Sequence, residues 1–181
     1  SDNQKTLNSS IEFTGVGLHT GEGVHMVIEP AKINHGVKFQ RIDLENQPVL
    51  PADINLVTDT QRSTTLEKDN VKIVTVEHLM SALYALGVNN VLIKMDSSEV
   101  PILDGSAKYF VEEIQKVGLK VQDAPLKYID LPDPIHYTDP DSGSEILFVP
   151  TNNFIISVVL DYQNLALGTQ YAEIRDLKDY S

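Results

Sequence analysis

The chain has 181 residues, of which 41% are hydrophobic, and it carries a formal net charge of −12. This acidity argues against non-specific binding to nucleic acid or anionic lipid, because both attract basic surfaces. The sequence contains no cysteine, so disulfides and thiolate metal ligands are excluded, and a zinc site would need histidine and carboxylate ligands. No apolar run reaches the length of a membrane span, and we therefore expect a cytoplasmic protein without stable membrane insertion.

Short strand-like segments dominate the first part of the chain. Strands are predicted over residues 9–13, 24–29 and 37–42, which are separated by turns that bear glycine, proline or asparagine. A hairpin is predicted between residues 63–67 and 71–74. This part of the chain is therefore expected to build a sheet.

A helix is predicted directly after this hairpin. Its apolar residues recur at the spacing of one buried helical face, and they are Val76, Leu79, Met80, Leu83 and Leu86. Thr75 is the predicted N-cap of this helix, and Gly87 is the residue at which the helix is expected to stop.

Glu77 and His78 lie off the apolar face, in the first turn of this helix. A neutral imidazole is the commonest protein ligand for zinc, and a carboxylate beside a bound metal can take the proton from an attacking water. The pair therefore suggests metal-assisted hydrolysis. The dipeptide alone would rather favour an ordinary solvated pair at a helix start, since short motifs often occur by chance.

A further strand is predicted over residues 90–95, and a second helix follows it. This helix is expected to end at Gly118, and its apolar stripe consists of Ala107, Phe110, Val111, Ile114 and Val117. Asp104 or Ser106 is the predicted N-cap, although Asp104 could instead orient a group of an active site. These elements predict an α+β fold, a two-layer sandwich of a mainly antiparallel sheet packed on two helices.

Further along the chain, the strand pattern restarts. Strands are predicted over residues 128–131, 145–149 and 154–160, and the order of strands, proline and asparagine-bearing turn echoes the opening of the chain. We therefore predict a duplicated sandwich, with a first domain over residues 1–125 and a second, truncated copy over residues 126–181.

Residues 15–21 place three glycines around His19 between two predicted strands. Glycines at alternating positions permit bulged or positive-φ backbone, which can present His19 close to a ligand. A glycine-rich hairpin with an exposed histidine is the simpler alternative. A dinucleotide-binding loop is not expected, because the glycine spacing differs and no helix follows directly.

Three motifs, in this order and spacing, resemble those of the UDP-3-O-acyl-N-acetylglucosamine deacetylases of lipid A biosynthesis, and they occupy residues 15–21 (GVGLHTG), 75–79 (TVEHL) and 101–107 (PILDGSA). The resemblance covers nearly the whole chain, and the duplicated sandwich of that family agrees with the predicted repeat. It implies a hydrolase that uses zinc to remove the N-acetyl group from a UDP-linked acylated amino sugar, releasing acetate and a free amine.

The same resemblance implies roles for individual residues. Glu77 corresponds to the general base of the family, and His78 corresponds to one zinc ligand. The positions that match substrate-binding residues are Leu18, His19, Gln61, Arg62 and Ser63.

The resemblance also implies that essential residues lie outside this chain. The other two zinc ligands of the family come from a His-x-x-x-Asp motif in the second domain, which has no counterpart here. We therefore expect an N-terminal fragment that is inactive alone, and that self-associates or is locally disordered beyond Pro125 because its strands lack cover. The alternatives are a non-catalytic α+β protein-interaction module and a zinc amidohydrolase with another N-acyl substrate.

Overall fold

The computed structural model describes residues 2–162 and 164–176 of the chain. The chain divides into two compact units, one ending at Leu126 and the other beginning at Lys127. Among the described residues, no helix combines the length and the apolar character that crossing a membrane requires.

The described residues of the first unit form three sheets and two α-helices. In chain order, the elements are β1 (Asn3–Leu7), β2 (Ile11–Val16), β3 (Gly23–Pro30), β4 (Val37–Arg41), β5 (Val49–Pro51), a 3₁₀ turn (Ile54–Leu56), β6 (Val57–Asp59), β7 (Thr65–Lys68), β8 (Val71–Ile73), α1 (Glu77–Ala85), β9 (Val91–Met95), α2 (Lys108–Val117) and β10 (Leu119–Pro125).

The largest sheet has the strand order β2–β3–β9–β4–β5, and only its β4–β9 pair is parallel. Its strands bury alternate residues, because successive side chains of a strand point to opposite faces. In β3, the buried residues of this alternation are Val24, Met26 and Ile28. Phe39 of β4 lies opposite Ile93 of β9, and both side chains are fully buried in the core.

The two helices contact each other, and α2 also contacts β2. The ring of Phe110 in α2 meets the ring of Phe13 in β2 edge to face, with the ring centroids 5.0 Å apart. Leu79 and Leu83 of α1 and Ile114 of α2 are buried as well. The structure thus confirms the predicted α+β sandwich, in which a mainly antiparallel sheet packs on two helices.

The start of α1 differs from the prediction, and its end agrees with it. The prediction of Thr75 as N-cap is wrong, because α1 begins at Glu77 and Val76 occupies the N-cap position without a side-chain hydrogen bond. Thr75 has a φ of +60°, and its hydroxyl is used in a bond to another segment. Gly87 follows the end of the helix with a φ of +73°, as expected for a glycine that stops a helix.

The three-stranded sheet β6–β7–β8 contains the predicted hairpin, in which β7 and β8 pair antiparallel. Arg41, at the end of β4, anchors this sheet. Its guanidinium donates a 3.1 Å hydrogen bond to the carbonyl of Lys72 in β8 and two further bonds to the Asp43 carboxylate. These bonds from Arg41 hold the pKa of the Asp43 carboxyl below its ordinary value.

The third sheet pairs β1 with β10, two strands that the sequence pattern does not predict. The buried Asn90 ties this pair to the rest of the unit. Its side-chain amide donates to the Oε1 atoms of Gln4 and Gln122 over 2.9 and 2.7 Å. Its Oδ1 accepts the Gly36 N–H over 2.8 Å, so a fully bonded polar group connects both ends of the unit.

The described residues of the second unit form two antiparallel hairpins, β11 (Ile135–Thr138) with β12 (Glu145–Phe148) and β13 (Ile156–Asp161) with β14 (Thr169–Ile174). The strands predicted over residues 145–149 and 154–160 are confirmed as β12 and β13. The strand predicted over residues 128–131 is wrong, and the following Pro132, which has no N–H, is typical of a segment outside a sheet ladder. The duplication and the self-association or disorder beyond residue 125 stay predictions.

Candidate active site

The start of α1 lies against the residue that precedes β7. Glu77 Oε2 accepts a hydrogen bond from the Thr64 backbone N–H over 2.9 Å. The Val76 N–H donates in turn to the Thr64 carbonyl over 3.3 Å. The Glu77 side chain is 36% exposed, and its Oε1 accepts no hydrogen bond from the described part of the chain. One carboxylate oxygen is therefore anchored, and the other is available to a ligand or a water.

His78 lies beside Glu77 at the start of α1, and its two ring nitrogens differ in their surroundings. The His78 side chain is 32% exposed, yet its Nδ1 atom is buried and has no hydrogen-bond partner among the described residues. Nδ1 lies 3.9 Å from Glu77 Oε1, which is too far for a hydrogen bond. Nε2 is therefore the ring nitrogen that can bind an external partner, such as a metal ion.

The glycine loop of residues 15–21 wraps around a buried carboxylate. The Gly17 N–H donates to the Glu22 carbonyl over 2.9 Å, which closes the loop. A Cβ atom at Gly17 would lie 2.3 Å from both Glu99 Oε2 and Thr20 Oγ1, closer than real Cβ atoms come to other heavy atoms. Glycine is needed at this position because the backbone approaches Glu99 closely.

Glu99 is fully buried, with 0% of its surface exposed. Its carboxylate accepts hydrogen bonds of 2.8–3.1 Å from the backbone N–H groups of His19 and Thr20 and from the hydroxyls of Thr20 and Thr75. Burial alone would raise the pKa of this carboxyl, but these bonds outweigh burial and hold the pKa below its ordinary value. Sequence reasoning missed Glu99, whose one local signal is an acidic residue directly before the apolar Val100.

A pocket of about 510 Å³ lies between the glycine loop and the three-stranded sheet. Four of the five predicted substrate-binding residues line it, namely His19, Gln61, Arg62 and Ser63. The fifth, Leu18, is not part of the lining and is 58% exposed next to His19. The structure thus gathers residues from two distant segments around one cavity, and their roles in binding stay proposals.

Charged groups of both signs surround this pocket. Arg62 and Lys72 are the cationic side chains of the lining, and the Lys72 Nζ atom lies 3.4 Å from Glu67 Oε2. Asp59 Oδ1 accepts the Gln61 backbone N–H over 2.8 Å, which shapes the turn before Arg62. A pocket with such a lining suits a polar ligand that carries hydrogen-bonding groups.

Asp104 lies on an exposed turn before α2. Its Oδ1 accepts hydrogen bonds from the Ser106 N–H over 3.0 Å and the Ser106 hydroxyl over 2.8 Å, and these bonds lower the pKa of the Asp104 carboxyl. The N-cap prediction is wrong at both candidate positions, because Ala107 occupies the N-cap without a side-chain bond. The Ser106 hydroxyl still accepts the Lys108 N–H over 3.1 Å, so this turn stabilises the helix start from one residue further out.

The described residues do not form a complete zinc site. Within residues 2–162 and 164–176, no group of three histidine, aspartate or glutamate side chains is arranged to hold a metal ion. A catalytic zinc usually has three protein ligands. His78 fits the role of one ligand through Nε2, since its Nδ1 atom is buried, but the described residues do not supply a complete set of ligands.

These features define an α+β protein in which a helix start presents a carboxylate next to an imidazole, close to a polar pocket. Residues 4–180 match the protein family described as UDP-3-O-acyl N-acetylglycosamine deacetylase. The chain belongs to this family, which confirms the resemblance found in its three motifs.

Two groups of curated relatives match the chain. The bifunctional enzyme LpxC/FabZ of Bacteroides thetaiotaomicron is 44% identical over 177 residues, which cover 98% of this chain and 38% of that protein. The bifunctional enzyme LpxC/FabZ of Porphyromonas gingivalis is 41% identical over the same shares of both chains. The UDP-3-O-acyl-N-acetylglucosamine deacetylase of Chromohalobacter salexigens is 43% identical over 167 residues, or 92% of this chain and 54% of that protein. The chain thus spans about half or less of the length of these relatives.

Proposed function

We propose that the chain contributes one part of the active site of a zinc-dependent deacetylase that removes the N-acetyl group from UDP-3-O-acyl-N-acetylglucosamine in lipid A biosynthesis. The observation that carries this proposal is the placement of Glu77 and His78 side by side at the start of α1 in a chain of this family. Relatives that are 43% identical carry the name of this activity.

In this proposal, Glu77 is the general base. The Thr64 N–H holds one carboxylate oxygen, so the other can accept the proton of a water that attacks the acetyl carbonyl. His78 Nε2 would be one ligand of the zinc ion, and the other ligands would come from outside the described residues. The released products are acetate and the free amine of the sugar.

The pocket beside this pair is the proposed site for the nucleotide-linked sugar. His19, Gln61, Arg62 and Ser63 would bind its polar groups, and Leu18 would add an apolar contact at the rim. Because a zinc site needs more ligands than the described residues supply, the 181-residue chain alone is proposed to be inactive. The cytoplasmic location stays a prediction.

Zinc content and deacetylation, measured on the complete gene product and on the 181-residue chain, test this proposal. We expect stoichiometric zinc and turnover in the complete gene product, and neither in the short chain. Glu77→Gln should keep zinc and lower kcat about 100-fold or more, whereas His78→Ala should lose both zinc and activity. Full activity of Glu77→Gln would contradict the role of the base, and stoichiometric zinc with turnover in the short chain would contradict its incompleteness.

The substrate class needs a separate measurement. The complete gene product should hydrolyse simple N-acetyl amines far more slowly than the UDP-linked acylated sugar. The reason is that a simple amine offers no groups for the pocket of His19 and Arg62 to bind. Equal rates on both would favour an amidohydrolase with another N-acyl substrate.

A further inference from the structure

Glu99 lies where the segment that leads into α1 meets the glycine loop. The Val74 N–H donates to the Ser98 carbonyl over 2.8 Å, and the Val100 N–H donates to the Val74 carbonyl over 3.1 Å. This parallel bridge places the Glu99 side chain next to Thr75, two residues before the proposed base. The position of Glu99 is therefore set by backbone pairing and not by a flexible loop.

The Glu99 carboxylate is buried without an opposite charge. All its donors are neutral groups of His19, Thr20 and Thr75. Among residues 2–162 and 164–176, Glu99 takes part in no ion pair. A buried charge is a costly way to fill a core, because an apolar side chain of similar size would require no desolvation of a carboxylate. Its bonds go to the two segments that carry the candidate site, which indicates a role in placing them.

Both segments are tightly constrained where they meet Glu99. Thr75 has a φ of +60°, a conformation that a β-branched residue keeps only where surrounding contacts hold it. The 2.8 Å bond from the Thr75 hydroxyl to Glu99 Oε1 is such a contact. On the other side, Gly17 leaves no room for a Cβ atom against Glu99 Oε2. Backbone strain such as that at Thr75 is often found at functional sites.

We propose that Glu99 is a positioning residue, which holds the His19 loop and the start of α1 in one fixed arrangement through the His19 and Thr20 amides and the Thr75 hydroxyl. The Glu99 side chain is fully buried and does not line the pocket. It fixes His19 at the pocket wall, and it fixes Thr75 so that Glu77 and His78 begin α1 at the correct place. The inference rests on the proposed function for its effect on catalysis, but the clamp itself can be tested without any reaction.

Hydrogen exchange in the complete gene product tests the clamp directly. Glu99→Gln keeps the shape of the side chain, removes its charge and replaces one acceptor oxygen by a donor. We expect the His19 and Thr20 amides to exchange at least about tenfold faster in this variant, because bonds to an ionised acceptor are among the strongest in proteins. Glu112→Gln, at an exposed position of α2, is the matched control and should leave both exchange rates unchanged.

A matched pair at Thr75 tests the link to catalysis. Thr75→Ser keeps the hydroxyl that bonds Glu99, whereas Thr75→Val keeps the branched shape and loses it. We expect Thr75→Ser to stay within about twofold of the parent kcat, and Thr75→Val and Glu99→Gln to lower kcat about tenfold or more, since small misplacements of catalytic groups have such effects. If the bond between Thr75 and Glu99 had a purely structural role, Thr75→Val and Glu99→Gln would have lower melting temperatures, and the kcat of the folded protein would be unchanged.

The outcomes separate this inference from the proposed function. Unchanged exchange of the His19 and Thr20 amides in Glu99→Gln would overturn the clamp, and equal kcat for Thr75→Ser and Thr75→Val would overturn its part in catalysis. If the parent gene product does not deacetylate the UDP-linked sugar, the proposed function fails, and the exchange rates alone then decide whether Glu99 positions the two segments.

Discussion

Replacing Gly17 with alanine tests how closely the glycine loop surrounds Glu99. The backbone at Gly17 does not have a positive φ, so alanine is not forced into a left-handed conformation there. The new Cβ atom would instead lie 2.3 Å from Glu99 Oε2 and from Thr20 Oγ1. Any loss of stability in Gly17→Ala would therefore report the steric contact with these two groups.

The size of the effect follows from the bonds at the point of collision. Glu99 Oε2 accepts the Thr20 N–H over 2.8 Å and the Thr20 hydroxyl over 2.9 Å, so the oxygen cannot move without weakening both. Overpacking costs about 1–3 kcal/mol, and a lost hydrogen bond to a charged group costs about 1.5–3 kcal/mol. Because partial relaxation would share the displacement, we expect the free energy of unfolding to fall by about 2–4 kcal/mol.

Urea denaturation followed by circular dichroism measures this free energy on the 181-residue chain. Gly23→Ala is the matched control, because its Cβ atom would meet no atom within 4 Å. We expect that control to be neutral or more stable by up to about 1 kcal/mol, since alanine restricts the unfolded chain. A Gly17→Ala variant within about 0.5 kcal/mol of the control would refute the close contact between the loop and Glu99.

Three further changes test the packing and the electrostatics of the first unit. Phe110→Ala removes a fully buried ring and should lower the free energy of unfolding by about 3–5 kcal/mol in the same urea assay. Arg41→Lys loses the paired bonds to Asp43, and we expect a fall of about 1–3 kcal/mol. The pKa values of Glu99 and Asp43 are lowered in the folded protein. The stability that these two carboxylates contribute should therefore be fully present above their unfolded pKa values, and it should be lost as the pH falls through their folded pKa values.

Each of these predictions has its own control. Tyr109→Ala, next to Phe110 but on the exposed side of α2, should change stability by less than about 1 kcal/mol, and an equal loss in both variants would contradict the assignment of the core. In Glu99→Gln, the free energy of unfolding should depend less steeply on pH in the acidic range. An unchanged slope would show that Glu99 does not contribute to this pH dependence. Asp43→Asn should lower the free energy of unfolding by most of the amount lost in Arg41→Lys. If the losses of the two variants simply add when both are combined, the two side chains do not act as a pair.

Periodicity in the sequence predicted the elements that carry most of the core. The strand Val91–Met95 and the helix Lys108–Val117 are where their apolar spacing placed them, because burial of one face or of alternate residues leaves a local pattern. The pair β1 and β10 left no such pattern. Its strands are far apart in the sequence, and polar bonds through Asn90 connect the pair to the rest of the unit.

The helix starts show why local rules fail next to a site. Residue types that favour N-cap positions predict Thr75 as the N-cap of α1 and Asp104 or Ser106 as the N-cap of α2. In the structure, the Thr75 hydroxyl instead bonds Glu99 from a left-handed backbone conformation, a role that the N-cap preference does not contain. Tertiary contacts therefore replaced the local preference at a residue two positions before the candidate base.

Residue type and order along the chain were enough to identify the family and to mark Glu77 and His78 as the chemical candidates, and the family resemblance named four of the ten residues that line the pocket. The three-dimensional arrangement added Glu99, which reaches the His19 loop across 80 residues of sequence and Thr75 across 24. Such bonds depend on where the sheet brings distant backbone together, and no local spacing records that distance. Candidate residues for the site can therefore be proposed from the sequence, whereas the contacts that support them are found only in the folded chain.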